Sequence, residues 1–378
     1  MKKILLVFGT RPEAIKMAPL VKAFQEQNHA FQTKVCVTGQ HRQMLDQVLS
    51  LFVIEADFDL NVMQPNQDLY DITGNILAGM KTVFQTYRPD YIFVHGDTTT
   101  TFAASLAAFY EKIAVGHIEA GLRTGNIYSP WPEEANRKLT SQLAHYHFTP
   151  TIQSQNNLLN ENIAANQIIV TGNTVIDALL LMKKKLETDA SFRNKIRASI
   201  IEKYFDPEKS EFILVTGHRR ENFGQGFINI CNALKAIAQQ RPAIKIVYPV
   251  HLNPNVSNPV HTLLSEIENI YLIEPLKYEV FIYLMSLSKL IITDSGGVQE
   301  EAPSLGKPVL VMRNSTERPE AVDAGTVKLV GTNIQRIISE TNCLLDNPYA
   351  YEAMAKAHNP YGDGNACLRI VNFMKDIA

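Results

Sequence analysis

A chain of 378 residues has the length for about two domains, each with a core of its own. With 46 % hydrophobic and 20 % charged residues and a formal net charge of -2, it lacks the basic surface that nucleic acid would require, so no nucleic-acid partner is expected. No apolar run approaches the ~18 residues of a membrane span, so no membrane partner is expected either.

The opening MKKILLVFGTRPEAIK carries an apolar run only from Ile4 to Phe8, too short for the core of a signal peptide. ILLVFG is the first of the strands expected in the first half, followed by KVCVTG, YIFVHGD, AVGHIEA, YHFTP and IIVTGN. Stretches of helical period lie between them, near 13–27, 41–51, 68–87, 98–112, 133–145 and 151–161. Short Val- and Ile-rich runs alternating with helices are the pattern of βαβ units and a parallel sheet. From Lys183 to Ser210 the rhythm stops in a charged, strandless stretch of helical propensity, which reads as the connection between domains. After Glu211 it resumes with FILVTGH, IKIVYPVH, IYLIEPL, LIITDSGG, PVLVM and TVKLV. The expected fold is therefore α/β, with two Rossmann-like doubly wound parallel-sheet domains facing across a cleft. The domains are expected at 1–185 and 186–362, and a C-terminal helix at 363–378 has unassigned packing, with a return to the N-terminal domain as one option. Cys36, Cys231, Cys343 and Cys367 lie far apart and form no CxxC pair, which argues against a zinc knuckle or a disulfide framework and fits a reducing cytoplasm.

Doubly wound sheets bind ligands beyond the carboxyl ends of their strands. Those ends carry Gly9-Thr10-Arg11, His95-Gly96-Asp97, His117-Ile118-Glu119, Gly217-His218-Arg219-Arg220-Glu221 and Ser295-Gly296-Gly297. Any one of these is also an ordinary cap, and Asp97-Thr98-Thr99-Thr100 would start a helix well. Polar loops collected on one edge of each sheet favour a ligand site. In LIITDSGGVQEEAPSLGKPVLV, residues 290–311, two glycines open a helix whose N–H groups would suit a pyrophosphate. Glu300 or Glu301, about one turn on, would then accept from a ribose diol. A tight strand-to-helix turn, with glutamates favouring the helix dipole, is the alternative. Neither GxGxxG nor GxxxxGK[ST] occurs. His145, His147, His251 and His261 lack paired carboxylates, so no metal site is expected.

FGTRPEAIKMAPL, HGDTTTT, GHIEAGLRT, SPWPEEANR, TGHRRENFG and DSGGVQEEAPSLGKPVL strongly resemble the bacterial non-hydrolysing UDP-N-acetylglucosamine 2-epimerases, from the first strand to NPYGDG near the end. The resemblance implies the two-Rossmann GT-B fold and interconversion of UDP-N-acetylglucosamine and UDP-N-acetylmannosamine without metal or nicotinamide. It implies catalytic roles for Asp97, Glu119, Glu133 and His218, and nucleotide-sugar contacts from Arg11 and Lys16 as well. Ser295, Gly296, Gly297, Glu301 and Arg318 would hold the nucleotide, with Phe281 near the uracil. Leu276 stands where some relatives have a glutamine whose backbone meets the base. Gln40, Gln43 and Glu133 match an activator pocket of regulated members, although Pro65-Asn66-Gln67 lacks a basic residue that those members can carry. Relatives are homodimers, and their product feeds surface polysaccharide synthesis. A GT-B glycosyltransferase, a hydrolysing epimerase and a non-catalytic nucleotide-sugar sensor are the competing readings.

Overall fold

The computed structural model describes residues 1–40, 42–64 and 66–377. It divides into two compact units, Met1–Ala178 together with the C-terminal stretch from Tyr361, and Leu179–Pro360. The first unit is built from β1 (Lys2–Phe8), α1 (Arg11–Glu26), β2 (Phe31–Val37), α2 (Arg42–Leu51), β3 (Phe58–Asp59), α3 (Leu69–Thr86), β4 (Tyr91–His95) and α4 (Thr99–Tyr110). It continues with β5 (Ala114–Ile118), α5 (Glu133–Leu143), β6 (Tyr146–Thr149), α6 (Ile152–Asn160), β7 (Ile168–Val170) and α7 (Thr174–Thr188), which runs on into the second unit. Its seven strands form a parallel sheet in the order β3-β2-β1-β4-β5-β6-β7.

The second unit holds α8 (Ala190–Lys203), β8 (Phe212–Thr216), α9 (Gln225–Gln240), β9 (Lys245–Pro249), α10 (Pro254–Leu264), β10 (Ile270–Ile273), α11 (Tyr278–Leu287), β11 (Leu290–Thr293) and α12 (Gly296–Glu301). It ends with β12 (Val309–Val311), α13 (Pro319–Asp323), β13 (Val327–Leu329), α14 (Ile334–Asp346) and α15 (Pro348–Ala355). The sheet order is β10-β9-β8-β11-β12-β13, again parallel throughout.

Helices on both faces bury the central strands completely, which is why they read as unbroken apolar runs: Ile4 to Phe8 and Phe212 to Val215 are fully shielded. The strands stop short of the glycines the sequence suggested they include, because those residues make the turns. Gly9 follows β1 where a Cβ would lie 1.9 Å from Thr38 Oγ1, so the chain can leave the sheet there only as glycine.

Two segments place themselves by tertiary contact. The division between units falls inside α7, after Ala178, and the charged stretch beyond it includes α8, whose Arg197 donates to Asp206, just past the helix, at 3.0 and 2.6 Å. The C-terminal helix α16 (Ala366–Asp376) belongs to the first unit. Asp177 accepts from its Ala366 and Cys367 amides at 3.2 and 2.9 Å, and Lys2 Nζ donates to Met374 O at 2.7 Å.

Candidate active site

The carboxyl edge of the first sheet opens into a cavity of about 500 Å³ lined by Lys16, Gln40, His95, Asp97, Glu119, Glu133 and Asn136, among others. Its floor is organised by Glu13. Thr10 caps α1 in a capping box, with its amide donating to Glu13 Oε2 at 2.7 Å, and Gly9 N donates to the same oxygen at 3.1 Å. Thr98 Oγ1 donates to Glu13 Oε1 at 2.6 Å and also caps α4, so one buried side chain ties the β1–α1 loop to the β4–α4 loop. Burial pushes the Glu13 carboxyl up, against the pull of those donors.

Three carboxylates reach the cavity from two connections, β4–α4 and β5–α5. Asp97, beyond β4, meets Arg137 Nη2 at 2.5 Å, while its carbonyl accepts from Asn136 Nδ2 at 2.9 Å. Arg137 Nη1 also reaches Glu134 Oε2 at 3.1 Å; fully buried Glu134 accepts from the Thr124 and Gly125 amides at 3.2 and 3.3 Å. Glu133 opens α5 and faces the cavity. Glu119 leaves β5 with a left-handed backbone, φ 60°, a conformation a non-glycine residue holds only when its surroundings enforce it. Its Oε2 meets Lys16 Nζ, accepts from Asn173 Nδ2 at 2.8 Å, and lies 3.8 Å from His95 Nε2. Burial lowers His95 to about 4, leaving a neutral imidazole beside the carboxylate.

On the second unit, Asp294 is buried at the end of β11 and accepts from the His218 and Arg219 amides at 2.9 Å each. The His218 ring lies with Nδ1 3.5 Å from Asp294 Oδ1 and stacks on His251, centroids 5.7 Å apart. Partial burial lowers its pKa, against the opposite influence of Asp294. Beyond Ser295 the turn into α12 packs against Arg318: a Cβ on Gly296 would lie 2.5 Å from Arg318 Nη1. Arg318 Nε donates to buried Glu300 at 2.6 Å. Glu301, also buried, accepts from Tyr278 OH at 3.5 Å. Phe281 is half-buried on α11, and Leu276 lines a separate cavity of about 470 Å³ against α8.

The structure thus gathers Lys16, Gln40, Asp97, Glu119 and Glu133 around one cavity of the first unit, whereas Arg11 lies at the start of α1 and Gln43 is exposed on α2, both outside that lining. His218, Ser295, Gly296, Gly297, Arg318 and Phe281 lie at the strand ends and helix starts of the second, and Glu301 ends α12. Pro65, part of the Pro65-Asn66-Gln67 comparison, lies outside the described residues. Sequence reasoning missed Glu13, Arg137, Asn173 and Asp294, and placed His95 at a strand end without giving it a role. The T-x-x-E spacing could have revealed Glu13; nothing local marks Asn173.

The family model described as UDP-N-acetylglucosamine 2-epimerase matches residues 22–375. A UDP-N-acetylglucosamine 2-epimerase of Campylobacter jejuni is 62 % identical over 373 residues, covering 99 % of this chain and 97 % of the relative. That of Escherichia coli (strain K12) is 59 % identical over 374 residues, covering 99 % and 98 %. The crystal structure of UDP-GlcNAc 2-epimerase from Neisseria meningitidis bound to UDP-GlcNAc superposes with a TM-score of 0.90 at 56 % identity, covering 98 % of this chain and 99 % of that one. Parallel sheets of seven and six strands agree with the fold of that neighbour. With its whole length matched at this identity, the chain belongs to the UDP-N-acetylglucosamine 2-epimerase family, enzymes of the isomerase class.

Proposed function

We propose that the chain reversibly interconverts UDP-N-acetylglucosamine and UDP-N-acetylmannosamine by expelling and restoring UDP, in the cytoplasm, supplying N-acetylmannosamine units for surface polysaccharide. The observation that carries this reading is the convergence on one cavity of Asp97, from the β4–α4 loop, with Glu119 and Glu133, from the two ends of the β5–α5 connection. The Neisseria meningitidis relative holds UDP-GlcNAc, which makes the nucleotide sugar the ligand to consider.

The C2 hydrogen has no carbonyl neighbour in the ring and resists direct removal. Breaking the C1–O bond to UDP creates an oxocarbenium-like centre at C1. The C2 proton then becomes acidic, a base takes it, and the electron pair closes a C1=C2 bond in 2-acetamidoglucal. Return of a proton to the opposite face of C2, with UDP oxygen attacking C1, completes the inversion. Carboxylates near the ring are the groups this needs, and positive charge or N–H donors stabilise the departing diphosphate. Arg137 contacts Asp97 and Lys16 contacts Glu119, two carboxylates at the cavity suited in kind to accepting the proton. On the second unit, the Ser295-Gly296-Gly297 turn, Arg318 and His218 suit the diphosphate, Glu301 the ribose diol and Phe281 the uracil, while Arg11 on the first suits an anionic part of the ligand.

Incubation with UDP-N-acetylglucosamine in deuterated water should place deuterium at C2 of both sugars, and D97N or E119Q should slow the exchange by at least ~100-fold. Turnover without C2 deuterium would refute elimination, and free sugar accumulating with UDP would identify hydrolysis instead.

A further inference from the structure

Asn173 stands between β7 and α7, 2 % exposed, and every polar group of its side chain is committed. Its Oδ1 accepts from Val175 N at 3.0 Å at the start of α7, which orients the amide so that Nδ2 faces Glu119 Oε2 at 2.8 Å. Its own amide N donates to Tyr361 O at 2.7 Å, so the backbone beneath the side chain is anchored as well. Gly172, at φ 89°, carries the chain past Gly362 with Cβ-to-Cα room of only 3.4 Å. A rigidly held donor therefore meets a carboxylate whose backbone is itself strained.

We propose, resting on the reading of Glu119 as a reacting carboxylate, that Asn173 is a positioning residue that holds Glu119 ionised and aimed into the cavity. A neutral donor aimed at one oxygen favours the charged carboxylate and fixes the direction of its side chain. Lys16 supplies the charge on that same oxygen, and Asn173 supplies the direction.

Aspartate and alanine at this position separate positioning from helix capping. N173D keeps an oxygen for Val175 N but replaces the Glu119 donor with a like charge; N173A removes both. If Asn173 positions Glu119, kcat falls about 10-fold in N173A and about 100-fold in N173D, the scale of a hydrogen bond to a charged group. KM for UDP-N-acetylglucosamine changes less than about 3-fold, and the acid limb of the kcat–pH profile moves up by about one unit in N173A and further in N173D. Thermal stability falls in both, through the lost cap in N173A and through a second buried carboxylate in N173D. Wild-type kcat and an unmoved acid limb in N173D, with N173A losing only thermal stability, would reduce Asn173 to a cap and overturn the proposal. Activity loss that merely tracks the fraction of unfolded protein in both variants overturns it too. E119Q, measured alongside, separates the two failures: full activity there removes the reading of Glu119 itself, whatever Asn173 does.

Discussion

At Gly296 the residue type is set by a neighbour rather than by backbone conformation, since its φ is not in the left-handed region and the guanidinium of Arg318 stands in the way. Arg318 cannot simply swing aside, because its Nε is bound to Glu300, a carboxylate 1 % exposed. G296A is therefore expected to displace Arg318 from the turn while leaving the unit folded, weakening UDP about 10-fold, the scale of one charge-assisted hydrogen bond. Calorimetric titration with UDP checks this, and unchanged affinity would show that Arg318 plays no part in holding the diphosphate. The glycines after serine were readable in the sequence as a turn from strand into helix. The arginine packed on it was not, since it comes from a later loop of the unit.

Among the elements, the C-terminal helix α16 owes its place to contacts that its own residues do not announce. Its Phe373 ring meets Tyr146 edge-on at 5.0 Å and Phe148 at 5.8 Å, both on β6. F373A is expected to cost about 2 kcal/mol, less than a fully buried phenylalanine because the ring is half-buried. Urea unfolding followed by far-UV circular dichroism measures it, and a cost under ~0.5 kcal/mol would mean that the ring contacts to β6 contribute little to holding the helix. The helix itself was legible from its apolar spacing; its partner was not, because β6 lies over two hundred residues earlier in the chain. The reverse holds for the stretch after Lys183, where charge suggested a connector and burial of Ile196 and Ile200 made a packed helix.

For the whole molecule, buried histidines set the acid limit. Burial lowers His95 and His117 to about 4 and His147 to about 3; His147 has no hydrogen-bond partner on either ring nitrogen among the described residues. A native pKa below the unfolded value of about 6.5 means that the unfolded chain binds protons first. The stability these three contribute is complete above about pH 6.5 and is lost as pH falls toward about 4, on the order of 2 kcal/mol each by pH 5. Glu317 adds a later loss: burial raises its carboxyl, but hydrogen bonds and charge from Arg313 outweigh this and hold it at about 2, so its share goes below about pH 4.5. Unfolding free energies that stay level between pH 7 and pH 5 would contradict the histidine account. By itself the sequence determined the alternation of strands and helices, the two-sheet α/β class and the turns at the strand ends, because apolar periodicity and glycine or capping residues act over a few neighbouring positions. Only the tertiary structure decided which groups meet Glu119, since Lys16 stands 103 residues before it and Asn173 54 after. Strand order, a property of the packed sheet and not of any local stretch, brings those three side chains together.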